Sequence, residues 1–305
     1  MNQDEQPSSA ALIGFGEVGR IVARALRERG VDKVAAYDIL LADRERSVEM
    51  KKAAERAGVM LADSQTVLAE AELVISAVTA SETLAAARES ARFIRRGAFY
   101  LDLNSASPRT KAACGECIER AGGRYVEAGV MTSVPPHGIR VPMLTGGRSA
   151  SALQPWLDAL GFQARVVSDR LGVASAIKMC RSIVIKGLEA IMIESLVLAR
   201  RHGVEREVLD SLFETYPGMD WEGNGTYFWS RVVQHGRRRA EEMREAAATV
   251  SEAGFDPFMA AAIAGRQQWV ADLAQAGIFD DVARPPASWR DFVDRILGGA
   301  TTPAA

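Results

Sequence analysis

The sequence contains few cysteines and few histidines, and this scarcity excludes several classes of protein. Each occurs only three times in 305 residues, the cysteines at Cys114, Cys117 and Cys180. A small secreted domain held by disulfides would need more, and paired, cysteines. Cys114 and Cys117 form a CxxC, but a zinc site needs two further ligands, and the nearest histidine is His137. We therefore predict no metal site and two reduced thiols on one helix face.

The sequence also has no strong excess of charge and no long uninterrupted apolar run. Lys and Arg total 37 against 39 Asp and Glu, so the basic footprint of a nucleic-acid-binding protein is missing. The most apolar stretch, residues 183–199, is interrupted by Lys186, Glu189 and Glu194, which indicates a buried helix and not a membrane span. The first ten residues are polar and acidic, unlike a secretion signal. We therefore expect a cytoplasmic protein with no nucleic-acid and no membrane partner.

The pattern that the sequence does contain changes near residue 168. Before this point, short apolar runs alternate with helical patterns, as at residues 17–29 and 43–57, which predicts a mostly parallel, doubly wound sheet. After it, only helical periodicity is found. The predicted strands cover residues 11–13, 33–37, 73–77, 99–103, 124–128, 142–145 and 163–167. The predicted later helices cover residues 171–202, 206–213, 227–253, with a break near Gly236, and 257–274.

These patterns predict two domains, because 305 residues exceed what one hydrophobic core usually serves. We predict an α/β domain at residues 10–168 and an all-α domain at 169–298, joined by a long helix of about 45 Å. Disordered tails are expected at residues 1–9 and 299–305. The apolar 183–199 helix and the aromatic residues that follow offer surface for a subunit interface, which predicts a homodimer or a higher homo-oligomer. The aromatic residues are Tyr216, Trp221 and Trp229, for which we expect positions in the core or at the interface.

A glycine motif follows the first predicted strand. Gly14, Gly16 and Gly19 form a GxGxxG between a strand and a helix, the context that a dinucleotide-binding Rossmann domain requires. Gly14 allows the tight turn, Gly16 lets the pyrophosphate approach, and Gly19 lets the helix pack on the strand. The helix N-terminus supplies N–H groups to the phosphates. The residues assigned to the cofactor are Gly14, Phe15, Gly16, Glu17, Val18, Gly19, Asp38, Val78, Thr79, Asn104 and Ser105.

Asp38 at the end of the second predicted strand bears on which cofactor binds. A carboxylate there can accept hydrogen bonds from the adenosine ribose and would repel a 2′-phosphate, which favours NAD. Arg44 and Arg46 follow closely and could instead hold that phosphate. We place NAD first and keep NADP as the alternative.

Three further motifs accompany the glycine loop: residues 102–108 (DLNSASP), 127–133 (EAGVMTS) and 172–178 (GVASAIK). Together they resemble the β-hydroxyacid dehydrogenase family, which includes 3-hydroxyisobutyrate and 6-phosphogluconate dehydrogenases. The C-terminal half is most similar to a phosphogluconate-dehydrogenase-like branch with its own helical domain. The resemblance implies an NAD(P)-dependent dehydrogenase (EC 1.1.1) that oxidises the CH–OH group of a small anionic β-hydroxy acid. It also implies that Lys178 is the general acid/base, with decarboxylation as a further step that a carboxylate β to the new ketone would allow.

The sequence departs from the family at the residues that contact the substrate. The family's Ser-Gly-Gly, which binds the substrate carboxylate, is replaced by Met131, Thr132 and Ser133. The family's asparagine four residues after the lysine is Ser182, for which we predict a catalytic role on the same helix face as Lys178. The glutamate that 6-phosphogluconate dehydrogenase carries seven residues after the lysine is Ile185. We therefore expect a substrate other than 6-phosphogluconate.

A basic segment in the helical domain offers a second group for the substrate. His235 precedes Arg237, Arg238 and Arg239, and we assign His235 and Arg238 to the substrate anion, since arginine binds carboxylates in bidentate fashion. The competing interpretation is a solvated helix face paired with Glu241, Glu242 and Glu245. Two other functions stay open: a catalytically inactive dinucleotide-binding module for assembly or regulation, and an imine or keto reductase of similar architecture. Lys178 argues against both.

Overall fold

The computed structural model describes residues 6–286 and 288–299. The chain divides into two compact units, one ending at Met179 and the other starting at Cys180. The division lies inside the long helix α8 (Val173–His202), which was predicted as the connection. Of the two predicted tails, residues 1–5 and 300–305 lie outside the described residues. Ser9 already belongs to the first strand, so the sheet begins two residues before the strand predicted at residues 11–13.

The first unit is built on an eight-stranded sheet in the order β3-β2-β1-β4-β5-β6-β7-β8. All neighbouring strands are parallel except β6 and β7, which pair antiparallel. The chain moves outward from β1 to β3 and then returns to β4, so the strand order reverses between β1 and β4. In open α/β sheets, ligands bind at the carboxyl end of the strands at this point. The strands are β1 (Ser9–Ile13), β2 (Lys33–Tyr37), β3 (Met60–Leu61), β4 (Leu73–Ser76), β5 (Phe99–Asp102), β6 (Arg124–Val130), β7 (Met143–Gly146) and β8 (Ala164–Ser168).

Strand β1 shows why this sheet has two buried faces. Its five residues are all buried, and successive side chains enter opposite cores. Ala10 and Leu12 belong to one cluster, whereas Ala11 and Ile13 belong to the other, as expected from the alternation of side chains along a strand. The helices cover both clusters. They are α1 (Glu17–Glu28), α2 (Arg44–Ala57), α3 (Ser64–Ala69), α4 (Thr83–Ala91), α5 (Pro108–Arg120), α6 (Val134–His137) and α7 (Ala150–Leu160). The predicted Rossmann architecture is confirmed.

The second unit consists of the later part of α8 with α9 (Glu205–Thr215), α10 (Trp221–Glu252), α11 (Phe258–Gln275) and α12 (Trp289–Gly299). Its core contains Trp221, Trp229 and Trp289, so the first two are core residues, as predicted, whereas Tyr216 is exposed. The break predicted near Gly236 is absent. A Cβ at Gly236 would lie 2.9 Å from the Gln267 carbonyl oxygen, so this glycine serves the close packing of α10 on α11.

Candidate active site

The glycine loop connects β1 to α1 with the geometry that a dinucleotide requires. Gly14 has φ = +94°, and a Cβ there would lie 2.4 Å from the Ala77 carbonyl oxygen. A Cβ at Gly19 would lie 2.1 Å from the Gly14 carbonyl oxygen, so α1 packs directly on the turn. Gly16 differs, because it is exposed and a Cβ there would meet nothing within 4 Å in the described part of the chain. The free side of the loop therefore lies at Gly16, where a pyrophosphate would approach.

The start of α1 has anion-binding character. Its N-cap is Gly16, and within the described ranges no side chain caps the first turn. The N–H groups of that turn and the positive end of the helix dipole suit a phosphate. Glu17 is exposed and Val18 is partly buried, whereas the Phe15 side chain is fully buried in the core. Of these three residues, Phe15 takes part in the loop through its backbone.

The Asp38 carboxylate lies beside the glycine loop. Its Oδ2 accepts a hydrogen bond of 2.7 Å from the Phe15 N–H, and its Oδ1 accepts one of 2.9 Å from the Leu40 N–H. The carboxylate is thus anchored, with 8% of the residue exposed. Arg44 and Arg46 are both exposed at the start of α2. The geometry keeps the negative charge of Asp38 at the end of β2, next to the loop.

Asn104 connects the ends of β4 and β5. Its Oδ1 accepts a hydrogen bond of 2.7 Å from the Val78 N–H, and its Nδ2 donates one of 2.9 Å to Ser76 Oγ. Thr79 is exposed beside Val78. Ser105 Oγ is buried and has no hydrogen-bond partner among the described residues. The segments after β4 and β5 are therefore fixed to each other, next to the buried Ser105 hydroxyl.

A buried ion pair between Asp102 and Lys111 holds the backbone of Asn104 in place. Asp102 and Lys111 are each 1% exposed, and Lys111 Nζ lies 2.9 Å from Asp102 Oδ1. Asp102 Oδ1 also accepts a hydrogen bond from the Asn104 N–H, and Oδ2 accepts one of 2.6 Å from the Tyr125 hydroxyl. Burial is the main cause that raises the pKa of the Tyr125 hydroxyl, and the negative charge of Asp102 raises this pKa further. The hydroxyl is therefore a neutral hydrogen-bond donor. The predicted cofactor residue Asn104 thus rests on a buried charged network.

The N-terminus of α8 lies against β6. Glu127 on β6 is fully buried, and its carboxylate accepts hydrogen bonds from the N–H groups of Gly172 (2.8 Å) and Ala174 (3.1 Å) and from Ser175 Oγ (2.8 Å). Lys178, the predicted general acid/base, stands one turn further along α8 and is partly buried. Lys178 therefore lies next to β6, in the same unit as the glycine loop.

The segment predicted to bind the substrate carboxylate follows β6. Met131 and Ser133 are partly buried and Thr132 is exposed. Ser133 is the N-cap residue of the short helix α6. The structure thus brings the predicted residues of the first unit to the carboxyl ends of β1, β2, β4, β5 and β6, which form one edge of the sheet.

The other predicted residues belong to the second unit. Ser182 is buried on α8, and His235 is partly buried on α10. Arg238 is exposed, and its Nε lies 3.8 Å from Glu242 Oε1 one turn along α10, as expected for a solvated helix face. Its assignment to the substrate, like those of Ser182 and His235, stays a prediction.

The second unit contains a buried polar cluster that the sequence did not predict. Arg239 pairs with Glu189 on α8 instead of with a glutamate on its own helix, and Gln267 Nε2 donates a hydrogen bond of 3.2 Å to Glu189 Oε2. Lys186 Nζ lies 2.9 Å from Glu242 Oε2. The cluster ties α8, α10 and α11 together, so only part of the arginine run is solvated.

No helix within residues 6–286 and 288–299 is both long and apolar enough to span a membrane. In the same ranges, no group of three or more His, Cys, Asp or Glu side chains is placed to hold a metal ion.

Comparison with known proteins identifies the family. Residues 199–270 match the "Domain of unknown function (DUF1932)" model, and residues 2–117 match "Shikimate / quinate 5-dehydrogenase". A conserved hypothetical protein from Sinorhizobium meliloti 1021 has a similar structure, with 37% identity over 95% of this chain and 96% of the other, at a TM-score of 0.75. The conserved protein MTH1747, of unknown function and with structural similarity to 3-hydroxyacid dehydrogenases, is 34% identical over 88% of this chain and 98% of its own, at a TM-score of 0.68.

The chain belongs to the 3-hydroxyacid dehydrogenase-like family. The resemblance inferred from the motifs is thereby confirmed at the level of the family, whereas the narrower resemblance to phosphogluconate dehydrogenase stays a prediction. A 3-hydroxyisobutyrate dehydrogenase from Mycobacterium tuberculosis, solved with L-serine, is 17% identical over 96% of this chain and 99% of its own, at a TM-score of 0.66. That likeness concerns the fold alone.

The structure adds three residues that sequence reasoning did not assign to the site. Asp102 and Glu127 opened two of the motifs, but nothing in the sequence indicated their partners. Lys111 carried no signal, because a lysine near the start of a helix is usually solvated. A charged residue can be recognised as buried only when the structure shows which residues surround it.

Proposed function

We propose that the protein is an NAD(P)-dependent oxidoreductase that oxidises the CH–OH group of a small, anionic β-hydroxy acid. The family and the glycine loop support the cofactor, with NAD ahead of NADP because of Asp38. The observation that carries the proposal is the position of Lys178. It stands one turn after the helix start that Glu127 anchors to β6, in the unit that contains the glycine loop.

In the proposed reaction, Lys178 handles the proton of the substrate hydroxyl. When bound, the nicotinamide supplies the acceptor for the hydride that leaves the substrate carbon. Lys178 Nζ takes the hydroxyl proton as the carbonyl forms, and in the reverse direction the ammonium returns it. A lysine accepts a proton only when it is neutral, so the oxidation requires the neutral amine. The same ammonium can polarise a new ketone, so decarboxylation can follow where the substrate has a carboxylate β to that ketone.

The loop formed by Met131, Thr132 and Ser133 is proposed to hold the substrate carboxylate. It follows β6 at the edge of the sheet where such folds bind ligands. The Ser133 hydroxyl and the backbone N–H groups of Thr132 and Ser133 would provide donors, whereas the Met131 N–H donates to the Pro142 carbonyl oxygen at 2.9 Å. Replacing Ser133 by alanine is expected to raise KM and to leave cofactor affinity unchanged. Ser182, His235 and Arg238 are proposed as further contacts.

The inactive-module and imine-reductase alternatives are not favoured. A protein that only binds a dinucleotide has no chemical need for a partly buried lysine beside the sheet edge. Within the chain, the lysine is better explained as an acid/base for hydroxy-acid oxidation.

The proposed homo-oligomer rests on an apolar stripe along α8. Val184, Ile191 and Leu198 recur every seven residues and are 62%, 56% and 58% exposed. Seven residues are about two helical turns, so the three side chains share one face. An exposed apolar row of this kind is typical of protein–protein contact. Trp221 and Trp229 do not contribute to the proposed interface, because both are core residues.

The decisive experiment replaces Lys178 by alanine. A panel of small β-hydroxy acids is screened at the absorbance of the reduced nicotinamide, with NAD and NADP. The variant should lose at least about 10²-fold in kcat, the lower end of what an acid/base group contributes, while cofactor affinity is kept. Lys33→Ala, at an exposed lysine on the amino end of β2, is the matched control. Near-normal turnover in Lys178→Ala, or no oxidation of any β-hydroxy acid by the wild type, would contradict the proposal.

A further inference from the structure

Glu127 is a buried carboxylate without an obvious reason to be buried. It lies on β6 and is fully inaccessible to solvent. Moving a carboxylate from water into a protein interior is costly unless hydrogen bonds compensate. Here three donors do so: the N–H groups of Gly172 and Ala174 bind Oε1, and Ser175 Oγ binds Oε2. All three belong to the start of α8, whose positive dipole end also favours a negative charge.

The sheet beneath this helix start is shaped to let it approach. A Cβ at Gly129 would lie 2.8 Å from the Ala174 carbonyl oxygen and 3.4 Å from Lys178 Cβ. A Cβ at Gly146 would lie 2.8 Å from Glu127 Oε1. The two distances of 2.8 Å, from Gly129 to the Ala174 carbonyl oxygen and from Gly146 to Glu127 Oε1, are shorter than the contacts that real Cβ atoms make. Two glycines therefore leave the space in which the carboxylate and the first turn of α8 lie on the sheet.

These contacts determine where Lys178 stands. Ala174 is bound to Glu127 through its N–H and touches the Gly129 position through its carbonyl group. Lys178 follows Ala174 by four residues, so the two lie above one another on the helix, about 6 Å apart along its axis. Any movement of the first turn of α8 relative to β6 is passed on to Lys178.

We propose that Glu127 is a positioning residue for Lys178, holding the first turn of α8 on β6 so that the amine is fixed at the sheet edge. This inference rests on the proposed role of Lys178 as acid/base. Glu127 touches neither substrate nor cofactor in the proposed reaction and acts through the helix. Its negative charge has a second expected consequence, because a carboxylate held at the start of α8 favours the ammonium form of a lysine on the next turn of that helix.

Geometry and charge can be separated by two substitutions. In Glu127→Gln, the amide oxygen can still accept from Gly172 and Ala174. Ser175 Oγ, which also donates to the Gly172 carbonyl oxygen at 3.1 Å, can then accept from the new amide N–H. The geometry is kept and only the charge is lost. In Glu127→Ala, both are lost.

The two variants have different expected results. Glu127→Ala should lower kcat by about 10²-fold, the effect of about 1 Å of misplacement. The dissociation constant of the cofactor should change by less than about two-fold in both. Glu127→Gln should keep most of the maximal kcat and shift the acid limb of the kcat–pH profile to lower pH, because the neutral amine then persists at lower pH. A purely structural role would lower the melting temperature without moving that limb.

A third variant disturbs the same contact from the other side. Gly129→Ala places a methyl group against Ala174 and Lys178, and it should lower kcat in the same way without altering Glu127. Asp63→Ala is the matched control, because Asp63 also caps a helix, α3, through a 2.8 Å hydrogen bond to the Thr66 N–H. Its loss should leave kcat and the pH profile unchanged.

These outcomes test the positioning role of Glu127 separately from the proposed acid/base role of Lys178. If Lys178→Ala abolishes turnover but Glu127→Gln leaves the acid limb in place and Gly129→Ala leaves kcat within about three-fold, the positioning role is refuted and the function stands. If Lys178→Ala retains turnover, the proposed function itself fails. Should Glu127→Ala not fold, the glutamine and Gly129 variants still decide.

Discussion

Removing the Lys111 side-chain charge should destabilise the first unit strongly. Lys111 and Asp102 are each 1% exposed, and Lys111 Nζ contacts both the Asp102 carboxylate (2.9 Å) and the Asp102 carbonyl oxygen (3.0 Å). In Lys111→Met, a side chain of similar length stays in place, so little cavity is created. What remains is a buried carboxylate whose only cation has been removed, as far as the described residues show.

The expected magnitude follows from burial. Breaking a buried ion pair from one side costs about 3–5 kcal/mol, because the remaining charge stays desolvated. Tyr125 and the Asn104 N–H still donate to Asp102, so we expect the lower half of that range. For a domain of this size, each kcal/mol lowers the melting temperature by about 2–4 °C. Lys111→Met should therefore melt about 6–16 °C below the wild type.

Calorimetry is the suitable assay, because four of the five tryptophans lie in the second unit and fluorescence would report mainly on it. Lys52→Met, at an exposed lysine that pairs with Glu49, is the control and should change stability by less than about 1 kcal/mol. Adding Asp102→Asn to Lys111→Met should recover part of the loss, since the two sites are coupled. A loss below about 1 kcal/mol in Lys111→Met would show that this pair behaves like a surface pair, and the argument from burial would be wrong.

Three further predictions concern the cofactor, the oligomer and the thiols. NAD should bind at least about ten-fold more tightly than NADP, a difference of 1.4 kcal/mol, and Asp38→Ala should narrow the gap; tighter NADP binding in the wild type would assign control to Arg44 or Arg46. Light scattering should find a dimer or larger species at micromolar concentration, and Ile191→Glu should shift it towards the monomer; a monomeric wild type would remove the proposed interface. Burial raises the pKa of the Cys114 thiol to about 12, so at pH 8 it is protonated and a thiol reagent should modify exposed Cys180 first; rapid labelling of Cys114 in the folded protein would contradict this.

The fold could be predicted from the sequence wherever a periodic pattern was long enough. The alternation of apolar runs and helices predicted the sheet, and the loss of strand patterns after residue 168 predicted the helical half. Strand β3 was not predicted, because a strand of two residues is too short to show the alternation of buried and exposed side chains. The break predicted near Gly236 was wrong for a different reason. A glycine in a helix can weaken it or allow a neighbour to approach, and only the position of α11 distinguishes the two.

The candidate site could be predicted in part. The glycine loop and Asp38 have a fixed spacing, so the sequence was sufficient to locate them. The partners of Glu127 lie 45–48 residues further along the chain, and no local pattern connects them. Arg239 shows the same limit, since its partner Glu189 lies on another helix, 50 residues away. Interactions over such separations depend on how elements pack, which periodicity does not describe.

The buried charges of the first unit make sense together. Asp102 and Glu127 are direct neighbours in the register of β5 and β6, so two buried carboxylates stand side by side at the sheet edge. Like charges in this arrangement repel, and each needs its own compensation. Lys111 provides it for Asp102, and the N-terminus of α8 provides it for Glu127.

Hydrophobic residues would fill these positions at lower cost, since a buried ion pair is often no more stabilising than an apolar substitute. The charges are therefore poorly explained by stability. Asp102 leads through Asn104 to the loop after β4, and Glu127 leads through Ala174 to Lys178. Both paths end at predicted site residues. Departures from the usual rules of burial are expected where a site must be held rigidly, and in the first unit the buried charged residues lie at the edge of the sheet that also carries the cofactor loop and Lys178.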